Sequence, residues 1–226
     1  MNEANNETPE QEEQQVPMTP EEMAQAREQF MIAMAYQIYK VAYLTGDFTL
    51  RSGQKSNEYF DKYMIETNPG MLQDICSLIS ESIIITEKIE NKPHMVAGLE
   101  TGGIPIATVL SCGFMIPYVI VRKEAKTYGT CKLAEGLDVK GRTLLIIEDV
   151  VTTGGQIIKS VKDLRNLGAT VYDCICVIDR EQGGKEALEK EGIKLHSLFT
   201  MSFIKETYTK ISAELAARNK SGIITP

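Results

Sequence analysis

Four apolar residues, Leu144 to Ile147, run into two adjacent acids, Glu148 and Asp149, and then into Val150, Val151, Thr152, Thr153, Gly154, Gly155 and Gln156. A short continuous apolar run of this kind reads as a buried parallel strand. The acids fall at its end, and the Thr/Gly turn opens a helix. In open α/β sheets, ligands bind at the carboxyl ends of strands. The turn offers hydroxyls and backbone N–H groups, and the helix N-terminus adds partial positive charge, so the segment can cradle a phosphate. Gly154 and Gly155 permit close backbone approach. Two carboxylates would repel a naked phosphate, but they suit a ligand that also carries hydroxyls, such as a ribose diol. The ligand implied is a ribose 5-phosphate. The competing phosphate motifs GxxxxGK[ST] and GxGxxG are absent.

Three further segments carry chemistry. Arg122, Lys123 and Lys126 concentrate cations in a stretch that runs on through Tyr128 to Gly129, which suits a pyrophosphate. Phe48-Thr49-Leu50-Arg51-Ser52-Gly53 is followed by Ser56 and by Tyr59-Phe60-Asp61. Asp179-Arg180-Glu181-Gln182-Gly183-Gly184 places an Asp-Arg pair at a strand end.

The strand, acid pair and Thr/Gly turn resemble the phosphoribosyl pyrophosphate (PRPP) signature of the type I phosphoribosyltransferases. With the other three segments, the stretch from about residue 28 to 200 resembles the orotate phosphoribosyltransferases in order and spacing. The resemblance implies transfer of the phosphoribosyl group of PRPP to orotate, giving orotidine 5′-phosphate and pyrophosphate in pyrimidine (UMP) biosynthesis. It assigns the ribose hydroxyls to Glu148 and Asp149, and the 5′-phosphate to the turn through Val150, Val151, Thr152, Thr153, Gly154, Gly155 and Gln156. Arg51, Arg122, Lys123, Lys126 and Tyr128 join the PRPP contacts. Tyr59, Phe60, Thr152 and Arg180 become the orotate contacts, Arg180 as a guanidinium fork for the carboxylate. Ala97 to Ile104 becomes the pyrophosphate turn. Lys126, Asp149 and Arg122 are the catalytic expectations. Mg²⁺ is implied as cofactor, held by PRPP and water rather than by protein ligands.

In such enzymes the basic loop is mobile and reaches a neighbouring subunit's site, which implies a homodimer with shared active sites. Departures from the family pattern are Gly102 and Gly103 where some members carry Lys, Tyr128 where some carry His, Arg51 where others carry Lys, and Glu148 in place of Asp. Two other readings share the PRPP signature: a phosphoribosyltransferase for another base, and a PRPP-sensing regulator of the same fold. The hairpin and the Asp179–Gly184 segment speak against the first. The intact basic loop in a neutral body speaks against the second.

The elements that must position these residues alternate. Thr19-Pro20-Glu21-Glu22 reads as an N-cap, a first-turn proline and a capping box, opening a helix that ends before Gly46. A hairpin over Phe48–Asp61, a helix over 71–90 and a strand at Met95–Gly98 follow. The uncharged stretch 101–121, punctuated by Gly and Pro, reads as a buried helix and a buried strand rather than a membrane span. After a Lys-bearing loop over 123–136 come strands at Leu144–Ile147, 170–178 and 194–199, and helices at 155–167, 184–191 and 203–219. The fold expected is α/β: a type I phosphoribosyltransferase fold with a mostly parallel central sheet flanked by helices and a small N-terminal hood. Its parts are a disordered acidic tail (1–18), a hood of helix and hairpin (about 19–65), a core (about 70–200) and a C-terminal helix (about 203–219).

Composition sets the outer limits. The 226 residues carry 24 basic and 31 acidic side chains, a net charge of −7. Seven glutamates at positions 3, 7, 10, 12, 13, 21 and 22 precede the first basic residue, so the body beyond them is neutral. Without a basic footprint, with no Trp and few aromatics, nucleic-acid binding is not expected. Neither a membrane span nor a signal peptide is read. Five cysteines (76, 112, 131, 174 and 176) form no CxxC, which suits free thiols in a reducing cytoplasm. Cys131 lies in the basic loop and reads as an ordinary exposed thiol. His94 and His196 stand without ligand spacing and read as structural. At this length no fused decarboxylase domain is expected; contact with a separate orotidylate decarboxylase is the conceivable partnership.

Overall fold

A computed structural model of the chain describes residues 18–49, 53–81, 91–126 and 132–220. Residues 1–17 of the acidic tail, Arg51, Tyr128 and Cys131 lie outside the described residues.

Helix α1 (Pro20–Ala42) starts where the capping box predicts. Thr19 Oγ1 accepts from the Glu22 N–H at 3.2 Å, and Glu22 Oε2 accepts from the Thr19 N–H at 2.8 Å. The first half of α1 is exposed, whereas Met34, Ala35, Ile38 and Ala42 are buried. Strand β1 (Tyr43–Thr49) begins directly at the helix end, so Gly46 lies inside a strand rather than behind a helix. β1 pairs antiparallel with β2 (Lys55–Phe60), with an irregularity between Thr45 and Phe48. A single turn, α2 (Tyr63–Glu66), was not read from the sequence. Helix α3 (Pro69–Ile79) is capped by Asn68, whose Oδ1 accepts from the Met71 N–H at 3.2 Å. It therefore starts two residues before the expected 71; residues 82–90 of the expected helix lie outside the described set.

The main sheet holds β3 (Met95–Leu99), β4 (Tyr118–Val121), β5 (Ala134–Glu135), β6 (Thr143–Val151), β7 (Thr170–Asp179) and β8 (Lys194–Thr200). Their order is β5-β4-β3-β6-β7-β8. All neighbours are parallel except the two-residue β5, an antiparallel edge strand inside what the sequence presents as a loop. Helices α4 (Gly103–Phe114), α5 (Gly155–Asn166) and α6 (Gly184–Lys190) connect the strands, and α7 (Met201–Lys220) closes the described chain.

Two cores lie on the two faces of this sheet, and the Leu144–Ile147 run serves both. Leu145 and Ile147 pack with α1, α3, α4 and α7; Leu144 and Ile146 pack with α5 and α6. Period-two alternation in a strand buried on both faces explains why every position is apolar. Helix α1 reaches the core partly through Tyr39, whose ring stacks on Tyr43 and Tyr208 at centroid distances of 4.3 and 4.0 Å. The chain leaves β3 outward to β4 and returns to β6 on the other side of β3, so the strand order reverses between β3 and β6. That switch point is where an open α/β sheet opens its binding crevice.

Candidate active site

The turns that follow β3, β4, β6 and β7 all emerge at one edge of the sheet. They carry Glu100–Gly103, Arg122–Lys126, Thr152–Gly155 and Arg180–Gly183 respectively. Parallel topology alone thus gathers four segments that are scattered along the sequence.

Strand β6 extends to Val151 and so carries both acids within it. Asp149 is 2% exposed. It is ion-paired with Lys62, and its Oδ1 accepts from the Val150 N–H at 2.7 Å. A Cβ built on Gly102 would collide with the Asp149 carboxylate and would lie 2.6 Å from Glu66 Oε1. The turn after β3 therefore touches the acid directly, and only glycine fits at 102. Glu66, Glu148 and Asp149 form a tight carboxyl cluster. Burial, together with the neighbouring Asp149, pushes Glu66 up to about 9 and Glu148 well above the usual carboxylate range. Asp149 is the acid that stays charged: despite burial, hydrogen bonds from Glu66 and Glu148 and the charge of Lys62 bring it down to about 2.

This division has a signature in stability. Below its unfolded value of 4.5, Glu66 holds its proton in both states and contributes no slope. As pH rises towards about 9, the unfolded chain releases that proton and the folded chain keeps it, so folding loses stability across this window. Asp149 acts in the opposite sense, and only as pH falls from 3.8 towards about 2. Glu66→Gln is therefore expected to flatten the decline of Tm between about pH 5 and pH 9, as read by thermal denaturation across that range; an unchanged decline assigns it to other groups.

Beyond β6, Thr152 and Thr153 form a bend and Gly154 takes φ 74°, leading into α5 with no side-chain cap on its first turn. The N–H groups of that turn are thus open to an anion. The bend is braced from the next crossover. Arg180 N–H donates to Val151 O at 2.8 Å, and a Cβ on Gly184 would lie 2.5 Å from Thr152 O. The phosphate turn and the Asp179–Gly184 segment therefore form one packed unit.

Arg180 itself is exposed at the end of β7. Its turn is fixed from both sides. Asp179 Oδ1 accepts from the Glu181 N–H at 2.8 Å, while the Glu181 carboxylate accepts from Ser202 N–H and Ser202 Oγ, both at 2.9 Å. Thr152 and Arg180 are the first residues beyond the Val151–Asp179 pair that ends β6 and β7. Tyr59 and Phe60 do not form a pair. Successive strand residues face opposite sides: Phe60 packs against the core, whereas Tyr59 is 39% exposed and leans on Phe48 at 5.4 Å. The two rings thus fall on opposite faces of β2.

The basic segment follows β4. Arg122 is half-buried, and its N–H donates to Leu133 O at 3.0 Å. Lys123 N–H donates to Glu100 Oε2 at 3.0 Å, which joins this segment to the turn after β3. Lys126 Nζ lies 2.6 Å from Glu135 Oε1 on β5. Sequence reasoning missed Lys62, Glu66, Glu135 and Ser202, and it named the segments of Glu100 and Glu181 without reading the contacts that these two acids make. Each acts through a partner distant in the chain, and none stands in a motif of its own.

Elsewhere, His196 Nε2 lies 2.7 Å from Asp173 Oδ1, and His94 Nδ1 accepts from the Thr143 N–H at 2.9 Å, so both histidines have structural partners away from this edge. Among the described residues Cys76, Cys174 and Cys176 are buried free thiols and Cys112 is an exposed one. No helix among the described residues is long and apolar enough to cross a membrane.

Comparison with known proteins agrees with this geometry. The family model of the phosphoribosyl transferase domain matches residues 62–204. The orotate phosphoribosyltransferase of Methanocella arvoryzae is 46% identical over 157 residues, covering 70% of this chain and 86% of the relative. The chain belongs to the orotate phosphoribosyltransferase family. Among solved family members, the Aeropyrum pernix enzyme superposes with a TM-score of 0.66 at 33% identity, over 76% of this chain and 96% of that one. The Mycobacterium tuberculosis enzyme in complex with PRPP gives 0.64 at 25% identity, over 78% and 99%. The family model begins at Lys62, so the family's shared region takes in both partners of the Lys62–Asp149 pair.

Proposed function

We infer that the chain is an orotate phosphoribosyltransferase, transferring the 5-phosphoribosyl group of PRPP to orotate with release of pyrophosphate. The observation that carries this reading is the meeting of a charged, buried Asp149 with an uncapped, glycine-led helix N-terminus at the switch point of a parallel sheet, in a chain of this family.

The roles follow from position. The first-turn N–H groups of α5 and the Thr152 and Thr153 hydroxyls hold the 5′-phosphate. Asp149 accepts from the ribose hydroxyls, with Glu148 beside it. Arg180, braced by Glu181 and Ser202, receives the orotate carboxylate. The turn Glu100–Gly103 and the cations Arg122, Lys123 and Lys126 take the pyrophosphate. Cleavage at the anomeric carbon builds positive charge on the sugar and negative charge on the leaving group. Orotate enters as an anion, so no base has to remove a proton from it. The protein acts by orientation and electrostatics: Asp149 lies near the growing positive charge, and the basic segment near the growing negative charge. Closure of the basic segment excludes water from the reactive centre.

Mg²⁺ bound with PRPP would make the pyrophosphate a better leaving group. Asp149 is already neutralised by Lys62, which fits an ion carried on the oxygens of PRPP and water better than a resident one. A homodimer, with the basic segment reaching the partner's site, and a cytoplasmic location belong to the same reading.

The test is the loss of orotate ultraviolet absorbance on mixing protein, PRPP and Mg²⁺. Loss requiring all three is expected. Absence of loss, with PRPP binding retained in calorimetry, overturns the choice of base.

A further inference from the structure

Within this reading, the ribose-binding acid has a partner that its own motif does not contain. Lys62 follows directly on the hairpin that carries Phe60, and it reaches across to Asp149 on β6. The Lys62 side chain is 31% exposed, that of Asp149 only 3%, so the pair is enclosed mainly on the acid's side.

The groups facing Asp149 come from three elements. Lys62 and Glu66 arrive from the α2 region, Glu148 lies on the same strand, and the buried Cys176 thiol lies on β7. Asp61 adds its charge to the Glu66 side of the cluster. Three carboxyls thus crowd one spot, and among the described residues Lys62 is the cation that acts on them. As a carboxylate, Glu66 Oε1 would be buried with no hydrogen-bond partner; as an acid, Glu66 has Asp149 beside it to receive its proton. The arrangement is self-consistent only when the negative charge rests on Asp149 and a cation sits against it, because several like charges cannot ionise together in one buried site.

We propose that Lys62 is a positioning residue for PRPP binding: its ammonium holds Asp149 as a charged acceptor for the ribose hydroxyls, and its place behind the hairpin ties that acid to the hood. The carboxylate then meets PRPP already ionised and oriented. Without the cation, the proton held by Glu66 or Glu148 has no reason to stay off Asp149, and the acceptor becomes a neutral acid near neutral pH.

The experiment compares wild type, Lys62→Met, Lys62→Gln and Lys62→Arg. kcat/KM for PRPP is followed from about pH 5.5 to 9 by orotate absorbance, and PRPP affinity by calorimetry over the same range. Both neutral variants are expected to lose about tenfold or more at the acid end, to recover as pH rises, and to show the change in KM for PRPP more than in kcat. Lys62→Arg is expected to restore the wild-type profile. Should one neutral variant fail to fold, the other decides.

A wild-type pH profile in a folded Lys62→Met or Lys62→Gln overturns the proposal, whatever the change in Tm, since that would leave Lys62 a purely structural partner. A wild type that binds PRPP but spares orotate overturns the choice of base instead, and the calorimetric pH profiles still decide the role of Lys62. A wild type that does not bind PRPP overturns both.

Discussion

Asp149→Asn is expected to lower kcat/KM for PRPP by about 100- to 1,000-fold while leaving the protein folded. The carboxylate is buried, charged and paired with Lys62. Losing one preorganised electrostatic contact to the transition state typically costs about 3–4 kcal/mol, and each tenfold corresponds to about 1.4 kcal/mol. The amide keeps the shape and one acceptor oxygen, but it turns an N–H₂ towards the cluster and cannot offset positive charge on the sugar. Both ground-state anchoring of the ribose and stabilisation of the transition state are lost, so KM for PRPP rises and kcat falls together. The fold loses less, because Lys62 remains part-exposed and can turn its ammonium towards water. Steady-state kinetics with PRPP varied, alongside a Tm, make the check. Activity within threefold of wild type removes Asp149 from the site.

Lys126→Ala is expected to reduce turnover about a hundredfold and to leave KM for orotate nearly unchanged. Here Lys126 is 2.6 Å from Glu135, on the edge strand, so its charge is held beside the site. On the role proposed for it, its contribution to PRPP cleavage begins when the segment closes and Nζ exchanges Glu135 for pyrophosphate oxygens. A contact made mainly in the transition state lowers kcat rather than weakening binding of the other substrate. Losing one charge-stabilising donor in such sites costs roughly 10²–10³ in rate. Saturating kinetics in both substrates tests this. Unchanged turnover sinks the assignment, and an orotate KM that rises in step with the loss of turnover moves Lys126 to the base pocket.

The main parts of the fold were legible because each rests on local rules. The Leu144–Ile147 run announces a strand buried on both faces, and it packs both ways. The Thr19–Glu22 box announces a helix start, and both of its hydrogen bonds form. The glycine-led turn announces an open helix N-terminus, and α5 has no side-chain cap. What stayed hidden depends on tertiary contact. Lys62 looks like any surface lysine until the fold brings it to Asp149. Glu66 sits in a one-turn helix too short to have a period, and β5 is too short to alternate. The adjacency of Tyr59 and Phe60 in sequence conceals their separation across a strand.

The reversal of strand order between β3 and β6 divides labour along the chain. On the roles proposed here, everything that handles the departing pyrophosphate hangs from β3 and β4. Everything that retains the sugar phosphate and the new base hangs from β6 and β7. The bond that breaks thus lies over the seam between two halves of one sheet. On those roles each product stays with its own group of turns, so pyrophosphate departs with movement of a segment that follows β4, the partner's in the homodimer, while the nucleotide stays with the turns of β6 and β7.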